Sequence, residues 1–185
     1  LRNLEDAKHV LEESLSLYRK RSPENFLGIA RVLYYLGPTY ANMGDFKKAL
    51  SILEESINIF KKHSYKNNIL IGRALVHLGN VYRELGEYKH AKDILEQAFS
   101  IHKIHYSQDK SEYAWPLLYI GFVERELGEP QKAKLILEQC LETYKKHFDE
   151  KNIRIAWIFG QLAKVYKDLG HYETARNLLE KSIPI

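Results

Sequence analysis

Apolar residues recur along this chain at helical spacing, and the pattern itself repeats every 42 residues. Ile71, Ala74, Leu75, Leu78, Val81, Tyr82 and Leu85 keep i, i+3, i+4 steps. That spacing predicts a helix with one buried face. Gly86 then interrupts the pattern, at a place suited to a left-handed helix terminus. Tyr88, Ala91, Ile94, Leu95, Ala98, Phe99 and Ile101 continue as a second helical face. The two helices of a period are designated A and B. No segment alternates apolar and polar residues between turn signals, so no strand is predicted.

Five columns hold register through the chain. They are Ala7, Ala49, Ala91, Ala133 and Ala175; Leu11, Leu53, Leu95, Leu137 and Leu179; Glu12, Glu54, Glu96, Glu138 and Glu180; Gly44, Gly86, Gly128 and Gly170; and Gly37, Gly79 and Gly121, with Ala163 in the fourth place. Ser14, Ser56, Ala98, Cys140 and Ser182 add a small-residue column on helix B. Two helices joined by a short turn must approach closely, which small residues permit. One such pair cannot bury its apolar face alone, so neighbouring pairs stack into a solenoid. The expected architecture is all-α, with about nine helices in a single array over residues 1–185. Residues 1–27 read as a partial repeat holding helix B only, followed by helix pairs in 28–68, 69–110, 111–151 and 152–185. Polar linkers are expected near 22–27, 65–68, 107–110 and 149–151. Pro130 suits the first turn of its helix. Pro38, deep in the first helix A, is expected either to kink the helix and leave the Tyr34 carbonyl open, or to reflect drift in a tolerant repeat.

Leu78, Gly79, Tyr82, Gly86, Ala91, Leu95 and Ala98 together resemble a tetratricopeptide repeat (TPR). Leu36, Gly37, Tyr40, Gly44, Ala49, Leu53 and Ser56 repeat the match, as do Leu162, Ala163, Tyr166, Gly170, Ala175, Leu179 and Ser182. That family's usual period is about 34 residues, and the extra length here amounts to about two helical turns. The long form is similar to repeats of kinesin light chains and of bacterial signalling proteins. The resemblance implies a right-handed solenoid of antiparallel helix pairs, a TPR superhelix, with helix A lining a concave groove. It also implies a non-catalytic role in protein interaction. Carried over residue by residue, the groove positions include Arg31, Tyr34 and Tyr35; Arg73, His77 and Asn80; Trp115, Tyr119 and Phe122; and Trp157, Gln161 and Lys164. The Lys/Asn/Arg clamp by which some family members hold a chain-terminal carboxylate is missing in that register.

Trp115, Tyr119 and Phe122 share one helical face, and Trp157 lies one period beyond Trp115. The two tryptophans are therefore expected to be neighbours. Such a cluster suits the apolar side chains of a peptide, because aromatic anchors dominate many interfaces. Packing between the longer helices is the competing reading of the same residues.

Composition narrows the partner class. Net charge is +4, with 45% hydrophobic and 28% charged residues, an ordinary globular balance. No apolar run is long enough to span a membrane, and no block of like charge suggests nucleic acid. Cys140 stands alone, so no internal disulfide is expected. His102 and His105 have a spacing that could hold a metal. However, His105 shares a column with His63 and His147 near helix ends, where a cation suits the dipole. His102 replaces Tyr18, Phe60 and Tyr144 of an aromatic column. No metal site, cofactor or catalytic residue is expected, and no phosphate loop or nucleophile elbow is present. The expected function is a cytoplasmic, non-catalytic module binding a peptide segment or helix, within a larger scaffold or signalling protein. Competing readings are a structural spacer or self-association element, and a small-peptide sensor. The chain starts mid-repeat without a methionine and its last helix B lacks a polar cap, so end-to-end association of a fragment is expected.

Overall fold

The computed structural model describes residues 2–64, 68–108, 110–149 and 152–183. Nine helices and no strand occur among them. They are α1 (Arg2–Arg21), α2 (Phe26–Asn42), α3 (Phe46–His63), α4 (Ile69–Glu84), α5 (Tyr88–His105), α6 (Ser111–Glu126), α7 (Pro130–Lys145), α8 (Ile153–Asp168) and α9 (Tyr172–Ser182). Even-numbered helices are A and odd-numbered ones B. Helix α2 begins two residues ahead of its expected start, because Asn25 caps it by accepting a bond from the Gly28 N–H. The expected linkers at 65–67, 109 and 150–151 lie outside the described residues.

Capping and turn chemistry fix the helix boundaries. Asp45, Asn68 and Asn152 accept backbone N–H bonds at the starts of α3, α4 and α8, satisfying donors that a helix start leaves open. Pro130 occupies the first turn of α7. Gly44, Gly86, Gly128 and Gly170 each adopt φ near +80° after helix A, a conformation that costs an L side chain. Helix α2 runs unbroken through Pro38. The proline therefore does not end the helix, and the Thr39 hydroxyl bonds back to the Tyr35 carbonyl beside it.

Residue contacts divide the chain into two compact units, Leu1–Ile101 and His102–Ile185. In the first unit, α2 packs on α1, α3 and α4. A β-carbon added to Gly37 would lie 2.5 Å from Leu53 Cγ, and one on Gly79 would lie 2.6 Å from Leu95 Cγ. The glycines thus set the closeness of each pair. Ser56 on α3 donates to the Ala30 carbonyl of α2. Tyr40 on α2 donates to Glu12 of α1, and Tyr82 on α4 donates to Glu54 of α3. In the second unit, α6 packs on α7, α8 on α9, and α7 on α8. Leu118, Phe122, Leu137, Tyr144, Ile155, Ile158 and Leu162 form its buried core. Cys140 takes the place of Ser56, donating to the Ala114 carbonyl at 3.6 Å. Burial pushes its thiol up to about 12, so it is inert and structural. Tyr166 on α8 donates to Glu138 of α7, repeating the tyrosine–glutamate bond of the first unit.

Candidate functional site

Each unit carries an aromatic cluster on its A helices. In the second unit, Tyr119 and Phe122 of α6 meet Trp157 of α8. Ring centroids lie 5.7 Å apart for Tyr119–Phe122, 5.8 Å for Tyr119–Trp157 and 4.8 Å for Phe122–Trp157, all edge to face. That geometry is favourable for aromatic quadrupoles. Burial separates the roles of the three rings. Phe122 is only 5% exposed and belongs to the core, Tyr119 packs against that core, and Trp157 is 39% exposed. The packing reading therefore describes Phe122, while Trp157 is partly exposed and in edge-to-face contact with two rings.

Trp115 packs edge-on against His102, with centroids 5.9 Å apart. His102 is fully buried, and its Nδ1 lies 2.7 Å from the Glu112 carbonyl. The histidine thus serves the aromatic column and a helix-to-helix hydrogen bond. Around the rings, Lys164 is exposed and Gln161 half-buried. Arg125 is engaged by Asp168 at 2.6 Å and by Glu126 at 2.8 Å. Glu124 stands where the other A helices carry Tyr40, Tyr82 and Tyr166, and it is buried.

The first unit has a smaller cluster. Tyr34 on α2 meets Tyr35 at 4.8 Å and His77 of α4 at 5.5 Å. Tyr34 is buried and Tyr35 is 56% exposed. His77 is half-buried by surface area. Its ring lies deep enough that burial pushes the imidazole down to about 4, so it is neutral at pH 7. Asn80 is held by Arg83, with contacts of 3.1 and 2.8 Å. Arg31 is exposed and Arg73 half-buried.

Sequence reasoning missed two clefts on the helix-B side of the first unit. One, of about 580 Å³, is lined by α1 and α3 over the buried Leu33 and Leu36 of α2. The other, of about 600 Å³, continues past Phe26 and Ile29 to Lys62 and His63. Column analysis marks side chains that pack and carries no signal for the space between them.

Repeated helix pairs with fixed glycines define a helical-repeat protein of the kind typically used for protein interaction. The tetratricopeptide repeat profile matches residues 28–104, 70–146 and 112–185, and the chain belongs to that family. A search of curated protein sequences finds no significant match. Among solved structures, BtubC (BKLC) from P. vanneervenii is similar at TM-score 0.80 and 15% identity, over 97% of this chain and 72% of that one. A putative kinesin light chain from Podosopora anserina with nearly identical TPR-like repeats gives TM-score 0.71 at 20% identity. That match covers 97% of this chain and 85% of the other. The apo form of RapI gives TM-score 0.73 at 18% identity, over 98% of this chain and 48% of that one. At these identities the likeness shows the fold alone. No helix is long and apolar enough to cross a membrane among the described residues.

Proposed function

We propose that this chain is a non-catalytic, cytoplasmic protein-interaction module that captures a peptide segment or helix on its A helices. The observation that carries this reading is Trp157. A tryptophan left 39% exposed and braced by Tyr119 and Phe122 offers an apolar face whose orientation is already fixed. Little rotamer freedom remains to be lost on binding, and preorganisation of this kind favours affinity. Tyr35 plays the matching part in the first unit, against Tyr34, whose ring in turn meets His77. In the second unit Lys164 and Gln161 of α8, and in the first unit Arg31 of α2 with Arg73 and Asn80 of α4, supply polar contacts for a segment held on that unit. Tyr119 and Phe122 act mainly by holding Trp157 in place, while Trp115 packs on His102.

The test is capture from lysate with mass spectrometry, comparing the chain with a Trp157→Ala, Tyr35→Ala variant. Matching circular dichroism spectra of the two proteins are expected, since both substituted rings are partly exposed. A partner retained by the parent and lost by the variant is the expected result. Equal retention by both would overturn the assignment to the A helices.

A further inference from the structure

The two clefts of the first unit are halves of one trench. Along α1 the lining residues are Glu12, Leu15, Ser16, Arg19 and Lys20, one continuous helical face. Along α3 the lining runs from Lys48 to His63, about 22 Å of helix. Leu15, Leu33, Leu36 and Ile52 floor one half; Pro23, Phe26, Ile29 and Ile59 line the other. Arg19 and Glu55 line both halves and form an ion pair across the trench at 2.5 Å. Both side chains are about half exposed. Exposed pairs of this kind contribute little to stability, so an occupant can displace the strap without harm to the fold.

The charges on the walls decide what fits. Every acid is already engaged: Glu12 by the Tyr40 hydroxyl and by Lys48 at 3.6 Å, Glu54 by the Tyr82 hydroxyl, and Glu55 by Arg19. Lys48 also sits over the Tyr40 ring at 4.3 Å, and His63 is stacked on Phe26 at 3.9 Å. Lys20 and Lys62 are exposed, one period apart, and make no ion pair among the described residues. The uncommitted charge of the trench is therefore positive, above an apolar floor.

We infer that this trench, on the side opposite the A-helix surface, is a second docking site and that its occupant is an amphipathic acidic peptide helix. Its apolar stripe lies on the floor and its carboxylates reach Lys20 and Lys62. The length of the α3 wall matches about fifteen helical residues. Such a site lets the module hold one partner on its A helices and another on its B helices.

The test uses a fluorescein-labelled, 18-residue helical peptide of leucine, alanine and glutamate with one leucine face. A twin peptide has lysine in place of glutamate. Fluorescence anisotropy should show the glutamate peptide binding at least tenfold tighter than its twin. A Lys20→Glu, Lys62→Glu variant, changed only at exposed unpaired positions, should lose at least tenfold affinity for it. The Trp157→Ala, Tyr35→Ala variant should bind it unchanged, which separates this site from the A-helix one. In a backbone amide NMR titration, shifts should concentrate in α1 and α3. Equal binding of the two peptides, indifference to the lysine reversals, or shifts confined to the A helices would each overturn the inference. Sodium oleate displacing the peptide completely at submicellar concentration would also overturn it, by making the trench a fatty-acid site.

Discussion

Glycine shows how one residue type can mean opposite things in the same kind of helix. A β-carbon on Gly121 would fall 2.7 Å from Leu137 Cδ2 and 2.8 Å from its Cγ. Leu137 is fully buried and has no room to withdraw. Gly160 sits one turn earlier in the equivalent helix, in a column with Tyr34, Val76 and Leu118. Its nearest prospective contact is Ser182 Cβ at 3.8 Å, so none of the described residues requires a glycine there. Gly121→Ala is expected to cost about 1–3 kcal/mol through overpacking. Gly160→Ala is expected to add about 0.5–1 kcal/mol by restricting the unfolded chain and improving helix propensity. Urea denaturation followed by circular dichroism measures both. A pair of shifts with the same sign would refute the assignment of roles.

Between neighbouring helices, the recurrent polar joint is the tyrosine of helix A donating to the glutamate of the preceding helix B. The bond at Tyr166 is the clearest case. Donation to Glu138 is the larger cause, and burial the lesser, of a phenol pushed up to about 12 from an ordinary value of 10.0. A raised acid constant means that the folded state favours the protonated phenol. The contribution is therefore complete below about pH 10 and is lost as pH rises toward about 12. Tyr166→Phe should cost about 0.5–1.5 kcal/mol at pH 8. The gap between variant and parent should close as the pH is raised through 10 and beyond. Tyr82 and Tyr144 also have raised constants, but they remain in both proteins and cancel in the difference. A gap that stays constant from pH 8 to 11 would show that the lost packing, not the bond, sets the cost. Both columns of this joint were visible in the sequence, yet their pairing was not. A repeat reveals which positions share an environment and leaves open which column faces which. The same limit explains the site. The stripe of Trp115, Tyr119 and Phe122 and its neighbour Trp157 were legible, but the partition of Phe122 to the core and Trp157 to the surface depends on the depth of each helix. Trp115 turns to His102 because that histidine has taken an aromatic place in the column.

Across the whole chain, the 42-residue period converts sequence position into burial. In the leucine column, Leu53, Leu95 and Leu137 are fully buried, Leu11 is half-buried, and Leu179 is 50% exposed. The fold was legible at this scale because each repeat must satisfy the same packing against its neighbours. The gradient follows from the same rule, since a helix with a neighbour on one side only leaves part of its stripe uncovered. Val10, Leu17 and Ile183 on or beside α1 and α9 are exposed for that reason. One substitution made at two places in the column tests the rule within a single unit. Leu137→Ala opens a cavity beneath Gly121 and should cost about 2–5 kcal/mol. Leu179→Ala removes a side chain already half in water and should cost less than about 1 kcal/mol. Urea midpoints of the two variants, taken side by side, give the comparison directly. Equal losses would mean that α9 is held as firmly as the central helices and that exposure along the column does not track stability.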